Sequence, residues 1–320
     1  MTDRPGRIGK ALEALETHER CCRLCPRECR VDRRAGETGF CGLSAGLHVA
    51  AVLPHFGEEP PLSGTAGAGT VFFSSCNLRC VFCQNHQISH GKAGKGMSEG
   101  DLARAMIRLQ EMGCHNIEWV TPTPQLPAAL RALRAAREAG LRLPLVYNGG
   151  GYENPEVIAL LEGIVDIWLP DFKFGSDGAA FRLAGVRNYV ENARASLREM
   201  VRQAGAGLEM AGETARRGVI VRHLVLPGMA GNTRQVLRWI ARDLPLSVPL
   251  SLMGQYTPMP AAAGLPGFGS AVSKEAYDGM IGLALEMGFE YLFVQDRDGQ
   301  PLIPDFTRED PFDWEGGAGR

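Results

Sequence analysis

Cys76, Cys80 and Cys83 are spaced as C-x3-C-x2-C, and this triplet is the part of the chain with the most specific chemistry. Thiolates hold 4Fe–4S clusters, which normally take four of them. A group of three leaves one iron open to a reactive molecule, as a three-ligand zinc site keeps a position for water or substrate. The alternative interpretation is a structural zinc ion whose fourth ligand is His86 or His90.

A second group of cysteines lies upstream of the triplet. Cys22, Cys25, Cys29 and Cys41 have the spacing C-x2-C-x3-C-x11-C, and Cys21 is a possible substitute for Cys22. Four thiolates close a structural zinc site or hold an auxiliary 4Fe–4S cluster, and the spacing does not decide between the two. The sequence therefore predicts a second metal site of either kind.

Short apolar runs alternate with helical patterns from residue 70 onward. This alternation predicts a parallel sheet with right-handed crossovers, although periodicity alone does not separate an open sheet from a barrel. Helices are predicted between the strands, one of them beginning after the N-cap Ser98. The predicted strands cover residues 71–73, 116–121, 143–147, 166–170, 219–226, 250–253 and 290–294.

Polar side chains lie at or near the ends of these strands. In parallel α/β barrels the reacting groups occupy the C-terminal ends of the strands, which makes such residues candidates for a site. Asp171 and Lys173 alternate onto one face, and a buried pair of this kind must be paired or meet a charged ligand. The candidates are Thr121, Asn148, Asp171, Lys173, Arg222 and Gln255.

These residues and the triplet together resemble the radical S-adenosylmethionine (SAM) family. That family has an aromatic residue just before the last cysteine, where this chain has Phe82. Gln84 and Asn85 resemble the His-Asn pair of glycyl-radical activating enzymes. The N-terminal cysteines, with the segments RHLVLPG and QYTPM, resemble a branch related to pyruvate formate-lyase activating enzyme.

The resemblance implies an α/β fold, a partial (β/α)6 TIM-like barrel with a small N-terminal cysteine-rich segment. It implies a 4Fe–4S cluster on Cys76, Cys80 and Cys83 and SAM on its open iron. Phe82 would pack near the adenine, and Arg222 would pair with the carboxylate of the cofactor. The residues expected to bind SAM are Phe82, Thr121, Asn148, Asp171, Lys173, Arg222 and Gln255.

Three features depart from the pattern of the activating enzymes. A Thr-Pro-Thr-Pro turn beginning at Thr121 replaces their Gly-Gly-Glu motif, and Gln255 replaces a histidine. The extra cysteines precede the triplet, whereas the ferredoxin-like inserts of other activases follow it. These departures leave the target of the radical open.

The family mechanism implies one-electron reduction of the cluster by a donor such as flavodoxin or ferredoxin. Cleavage of SAM would give methionine and a 5′-deoxyadenosyl radical that abstracts hydrogen from a substrate. Three interpretations stay open: activation of a glycyl-radical enzyme, a protein substrate; radical modification of a small molecule or peptide; and a zinc- or cluster-binding protein without catalysis.

Length and composition predict an ordinary globular protein. The 320 residues carry a net charge of −2, which favours neither nucleic acid nor an anionic membrane. We find no secretory signal and no apolar run of membrane-spanning length, and expect a cytoplasmic protein whose cysteines bind metal. We predict a cysteine-rich segment over residues 1–69, the barrel over 70–296 and a tail over 297–320, disordered at 316–320.

Overall fold

The computed structural model describes residues 4–91, 93–295 and 303–313. Helices and strands alternate along most of this length, as the sequence predicts. None of the helices in the described chain has the length and hydropathy that a membrane crossing requires. The elements are α1 Arg4–Arg20, β1 Leu47–His55, α2 Pro60–Ser63, β2 Ala68–Phe73, α3 His86–Ser89, β3 Lys95–Met97, α4 Glu99–Glu111, β4 Ile117–Val120, α5 Leu126–Glu138, β5 Leu145–Gly149, α6 Pro155–Ala159, β6 Ile167–Pro170, α7 Asp177–Ala184, α8 Tyr189–Ala204, β7 Glu209–Ala211, β8 Thr214–Val219, β9 Val221–Leu224, α9 Ala230–Asp243, β10 Leu250–Met253, α10 Lys274–Glu286 and β11 Leu292–Val294.

The strands form the wall of a partial barrel. Within the described residues, one sheet has the order β3-β1-β2-β4-β5-β6-β8-β7 and a second the order β11-β10-β9. The pairings from β2 through β4, β5 and β6 to β8 are parallel, as are those of β10 with β9 and β11. A parallel bridge between Asp171 and Arg222 joins the two sheets. The predicted α/β fold with a partial (β/α)6 barrel is therefore confirmed.

The predicted strand at residues 219–226 differs from the structure. β8 begins earlier, at Thr214, and the strand is interrupted at Ile220 before β9 continues to Leu224. The amide of Ile220 donates to Trp168 in β6, whereas the amide of Val221 donates to the carbonyl of Pro249 before β10. This stretch of chain therefore contacts β6 on one side and β10 on the other and closes the wall between them.

β1 is a strand that the sequence analysis did not predict. It pairs antiparallel with β2, with Leu53 opposite Thr70, and with β3 on its other side. Its residues Leu47–His55 therefore extend the barrel sheet past the first parallel strand. The division between a segment at 1–69 and a barrel at 70–296 stays a prediction.

Successive side chains along β5 and β6 point to opposite faces of the sheet and belong to two separate hydrophobic cores. Tyr147 and Trp168 belong to the large cluster that packs the strands against the helices. Val146 and Ile167, their neighbours in sequence, belong to a smaller cluster on the opposite face of the strands. Ser98 caps α4 as predicted, since its hydroxyl accepts a hydrogen bond from the amide of Asp101 at 3.0 Å.

The C-terminal residues 303–313 lie beside the first strands. The ring of Phe312 is 4.3 Å from that of His55 and 5.3 Å from that of Phe72, measured between centroids. Phe306 adds an edge-to-face contact with Phe72. This part of the predicted tail is thus packed on the barrel, while the predicted disorder at 316–320 lies outside the described residues.

Candidate active site

The cysteine triplet follows directly from the end of β2. Ser75, just before Cys76, has a φ of +74°, a conformation that turns the chain out of the strand. The amide of Leu78 donates to the Cys76 sulfur at 3.3 Å, and the Ser89 hydroxyl lies 3.2 Å from the sulfur of Cys83. The loop and α3 therefore fix the cysteines at the C-terminal edge of the sheet.

Burial dominates the acidity of these thiols. It raises the pKa of Cys76 to about 12 and also raises the pKa of Cys80 and of Cys83, although the Lys173 ammonium opposes the shift for all three. Buried thiols of this kind become thiolates when a metal replaces their protons. The site is therefore suited to a positively charged metal group.

Neither cysteine group forms a compact site for a single metal ion among the described residues. Among the residues that the structure describes, no three His, Cys, Asp or Glu side chains lie close enough to enclose one metal ion. A 4Fe–4S cluster has no such requirement, because each thiolate binds a different iron.

The triplet lines a cavity of about 190 Å³ at the barrel mouth. All seven residues predicted to bind SAM also line it, although they come from separate strand ends and from the cysteine loop. Their common location is a property of the structure, and their assignment as cofactor contacts stays a prediction. The predicted residues on the cavity are Cys76, Cys80, Cys83, Phe82, Thr121, Asn148, Asp171, Lys173, Arg222 and Gln255.

Asp171 joins the two cations of this cavity. One carboxylate oxygen accepts from the Lys173 ammonium, and the other accepts from Nε of Arg222 at 3.0 Å. Burial alone would raise the pKa of Asp171, but the two cations hold it below its usual range. The predicted alternation of Asp171 and Lys173 thus places a real ion pair in the cavity.

Glu58 and Asn148 complete the contacts of Arg222, and Asn148 links the guanidinium to Glu118. The guanidinium donates to Glu58 at 3.0 Å and to the side-chain oxygen of Asn148. The Asn148 amide nitrogen in turn donates to Glu118 at 2.6 Å. Burial raises the pKa of Glu118 well above its usual range, which favours the neutral acid.

Sequence reasoning missed Glu58 and Glu118. Glu118 is fully buried within β4, between the apolar residues Ile117 and Trp119. A charged residue inside an apolar strand was the available signal, since carboxylates are almost never buried without a partner. Glu58 gave no comparable signal, because it lies in a Pro/Gly-rich stretch that reads as a loop.

Thr121 and Thr123 have different surroundings. Thr121 lines the cavity with a φ of +58°, a conformation that is rare for a β-branched residue. Thr123 is buried, and its hydroxyl lies 2.7 Å from Glu153 and 2.9 Å from the Tyr147 hydroxyl. Of the two threonine hydroxyls in this turn, only that of Thr121 belongs to a residue lining the cavity of the cysteine triplet.

Phe82 and Gln255 both line the cavity, whereas Tyr256, the residue after Gln255, does not. Phe82 packs edge-to-face on Phe174 while lining the cavity. Gln255 also lines the cavity and accepts a hydrogen bond from Gln295 at 2.9 Å. Tyr256 instead donates to the carbonyl of Phe268 from a buried position, which indicates a structural role.

His223 is a packed histidine. Its ring nitrogens lie 2.6 Å from the Phe172 carbonyl and 2.9 Å from the Thr233 hydroxyl, and its side chain is fully buried. Burial lowers its pKa to about 4, so the ring is neutral near pH 7. His223, which follows Arg222 in β9, therefore faces away from the cavity.

The second cysteine group lies apart from this cavity. Its four members line a separate, smaller cavity together with Asn77 and Thr123, and Cys22 rather than Cys21 contributes to it. Cys114 belongs to neither cavity lining and is buried in the large core. The predicted second metal site comprises Cys22, Cys25, Cys29 and Cys41.

Comparisons with known proteins identify the superfamily to which this chain belongs. The model of the Radical SAM superfamily matches residues 70–240, and the chain belongs to that superfamily. Membership implies a 4Fe–4S cluster and SAM. The chain is also similar to the uncharacterized protein MJ0674 of Methanocaldococcus jannaschii, with 28% identity over 300 residues covering 91% of this chain and 82% of the other.

Among solved structures, the chain is similar to SuiB of Streptococcus suis. The structure of SuiB bound to the precursor peptide SuiA superposes with a TM-score of 0.47 and 10% identity over 69% of this chain. The structure of SuiB bound to SAM gives a TM-score of 0.47 and 11% identity. This chain spans about half of SuiB, 47% and 48% in the two structures.

Proposed function

We propose that this radical SAM enzyme binds its 4Fe–4S cluster through Cys76, Cys80 and Cys83 and activates a glycyl-radical enzyme. The observation that carries the cofactor assignment is the single cavity shared by the triplet and the polar strand ends. When bound, the cluster and SAM would supply a 5′-deoxyadenosyl radical that abstracts hydrogen from the substrate. A low-potential donor such as flavodoxin or ferredoxin would supply the electron.

The protein's own residues would orient the cofactor. SAM carries a carboxylate, an ammonium and a sulfonium, so it needs partners of both signs. Arg222, held by Asp171 and Glu58, presents a fixed guanidinium to a carboxylate. Lys173 is held by the same aspartate. Because these cations are already positioned, binding SAM would cost little side-chain entropy.

The acidic residues and Phe82 would supply the remaining contacts. The carboxylates of Glu58 and Asp171 line the cavity and would be negatively charged partners for the ammonium and sulfonium groups of SAM. Phe82 would cover the adenine, and Thr121 would offer its hydroxyl and carbonyl in place of the missing Gly-Gly-Glu motif. The packed aromatic ring would also keep water from the reacting atoms.

SAM binding tests the cofactor assignment without requiring turnover. We expect the electron paramagnetic resonance spectrum of the reduced cluster to change when SAM is added anaerobically. Arg222→Lys should weaken this binding at least tenfold, because an ammonium cannot form the bidentate pair. Arg238→Lys, on α9 outside the cavity lining, is the matched control. An unchanged spectrum with SAM, or equal affinity for both variants, would contradict the assignment.

Glycyl-radical activation is supported by the Asp171-x-Lys173 motif and by Arg222, which resemble those of the activating enzymes. The test uses a candidate glycyl-radical partner whose glycines carry deuterium. We expect deuterium in the 5′-deoxyadenosine formed with the correct partner. Deuterium transfer from a small molecule or a short peptide, with none from the protein partners, would instead establish the alternative function.

A further inference from the structure

The loop of the second cysteine group has the local chemistry of a metal site. The amide of Phe40 donates to the Cys29 sulfur at 3.3 Å, and the thiols of Cys22 and Cys25 also accept backbone hydrogen bonds, from Leu24 and Arg27. Amide groups directed at sulfur stabilise thiolates. Sulfurs that are held in this way and face one cavity are suited to bind a metal.

Gly39 shows how tightly the chain wraps these sulfurs. A Cβ atom at this position would lie 2.8 Å from both Cβ and Sγ of Cys29. Only glycine therefore allows the backbone to approach the cysteine this closely. A loop that serves only as a connection has no need for such an approach, whereas a metal-binding loop brings its backbone against the ligand sulfurs.

Two arginines beside the cysteines have unsatisfied donors. Arg33 is 3% exposed and lines the same cavity, and its Nε has no hydrogen-bond partner among the described residues. Arg27 also lines the cavity, and its Nη2 is likewise buried without a partner in the described chain. Four thiolates around a dication or a doubly charged cluster retain two negative charges, which two guanidinium groups would balance.

The loop of the second cysteine group also forms hydrogen bonds with alternate residues around Cys76. Nε of Arg27 donates to the carbonyl of Asn77 at 2.7 Å, and Arg79 donates to the carbonyl of Phe40 at 3.3 Å. The Ser75 hydroxyl donates to the carbonyl of Cys41. These contacts fall on residues 75, 77 and 79, so they flank Cys76 on both sides.

Arg27 is the link between the two cysteine groups. Its guanidinium stacks 3.2 Å from the ring centroid of Phe40, the residue just before Cys41. Arg27 also lines the cavity of the N-terminal cysteines, while its Nε donates to the carbonyl of Asn77, the residue after Cys76. Any change in the N-terminal loop that moves Arg27 would therefore move the backbone at Asn77 as well.

We propose that Cys22, Cys25, Cys29 and Cys41 hold a metal centre that fastens the Cys76–Cys83 loop in the conformation needed for the first cluster. The proposal rests on the proposed function of the triplet. It makes the second centre a positioning element, since its ligands do not line the cavity where SAM would bind. Zinc and a 4Fe–4S cluster share the required four-thiolate chemistry, although zinc also requires the four sulfurs to move closer together. Metal analysis distinguishes the two.

The first test counts iron, zinc and sulfide per chain in anaerobically prepared protein. The wild type should contain the first cluster and either one zinc ion or a second cluster. Cys25→Ser should lose the second metal and most of the first cluster, whereas Cys114→Ala should lose neither. Cys80→Ala should lose only the first cluster. The proposal is overturned if Cys25→Ser keeps all its metal or loses only the second centre.

The second test separates the contribution of Arg27 from that of the cysteine ligands. Arg27→Ala leaves all the thiols in place but removes the hydrogen bond to Asn77, and Arg23→Ala removes an exposed arginine from the same loop. Arg27→Ala should keep the second metal and alter the resonance spectrum of the first cluster, with Arg23→Ala unchanged. Equal spectra for wild type and both variants would overturn the proposed fastening.

The accessibility of the Cys80 thiol reports the conformation of the Cys76–Cys83 loop even in protein that lacks the first cluster. Its rate of alkylation should rise at least tenfold when the second metal is removed by Cys25→Ser, in protein lacking the first cluster. An unchanged rate would contradict the fastening. Wild-type protein that keeps the second metal, protects Cys80 and still takes up no cluster there would count against the proposed function and leave the fastening supported.

Discussion

At the scale of single residues, the cavity is an arrangement of buried charges. Arg222 and Lys173 share Asp171, while Glu58 and Glu118 surround the guanidinium and its partner Asn148. Each of these groups would be costly to bury alone, so each depends on the others. The balance among them determines both the stability of the barrel mouth and its affinity for a charged ligand.

Asp171→Asn should disturb this balance most directly. It leaves two buried cations without their shared counterion, and we expect the free energy of unfolding to fall by about 3 kcal/mol. Chemical denaturation of the anaerobic protein measures the loss. Asp101→Asn, on the exposed start of α4, should have a much smaller effect. Equal effects of the two substitutions would contradict the importance of the buried network.

Glu153 should make stability depend on pH. Burial raises its pKa from 4.5 to about 7, so the folded protein binds a proton that the unfolded chain releases between these values. Stability is therefore lost as pH rises from 4.5 to 7, by about 3 kcal/mol in total. Glu153→Gln should remove this loss, and denaturation midpoints at pH 5 and pH 8 measure it. A variant with the wild-type pH dependence would contradict the assignment.

At the scale of elements, the loop after β5 is shaped by close contact with β6. A Cβ atom on Gly151 would lie 2.0 Å from the carbonyl oxygen of Asp171, and its φ is +78°. The structure shows that Gly151 in particular allows two strand ends to approach each other, which positions Asp171.

Gly151→Ala should therefore be strongly destabilising. We expect a loss of about 3 kcal/mol from the backbone clash together with the unfavourable φ. Gly113→Ala is the matched control, because Gly113 has a φ of +91° but nothing within 4 Å of its added Cβ. Thermal unfolding of both variants separates the two costs. A loss no larger than that of Gly113→Ala would show that the loop moves aside freely.

The sequence predicted the parallel elements better than the irregular ones. β10 has the predicted bounds, and β4 differs from its predicted bounds by one residue at each end, because buried apolar runs are local signals. β1 and the break at Ile220 were missed because both depend on pairing with distant strands. Glu58 was missed for the same reason, since only the fold brings it to Arg222.

At the scale of the whole molecule, the N-terminal region is built into the barrel. Arg4 forms a bidentate pair with Asp166 before β6, and Glu19 pairs with Arg131 on α5 at 3.3 Å. Leu15 of α1 is fully buried in the large core. The cysteine loop between α1 and β1 is therefore attached to the barrel on both sides.

Leu15→Ala tests whether these regions unfold together. We expect it to lower the free energy of unfolding by about 3 kcal/mol through the cavity it leaves. A cooperative unit should show this as a shift of one transition, read both by the barrel tryptophans Trp119 and Trp168 and by circular dichroism. If only an early transition moves while the tryptophan signal stays, residues 1–69 form an independent domain.

The most direct test of the account is the formation of 5′-deoxyadenosine from SAM by anaerobically reduced protein. The wild type and Cys114→Ala should both form it, because Cys114 lies outside the cavity. Cys80→Ala should form less than about one hundredth as much, since catalysis depends on the complete site. Equal product from Cys80→Ala, or no product from wild-type protein carrying the cluster, would contradict the account.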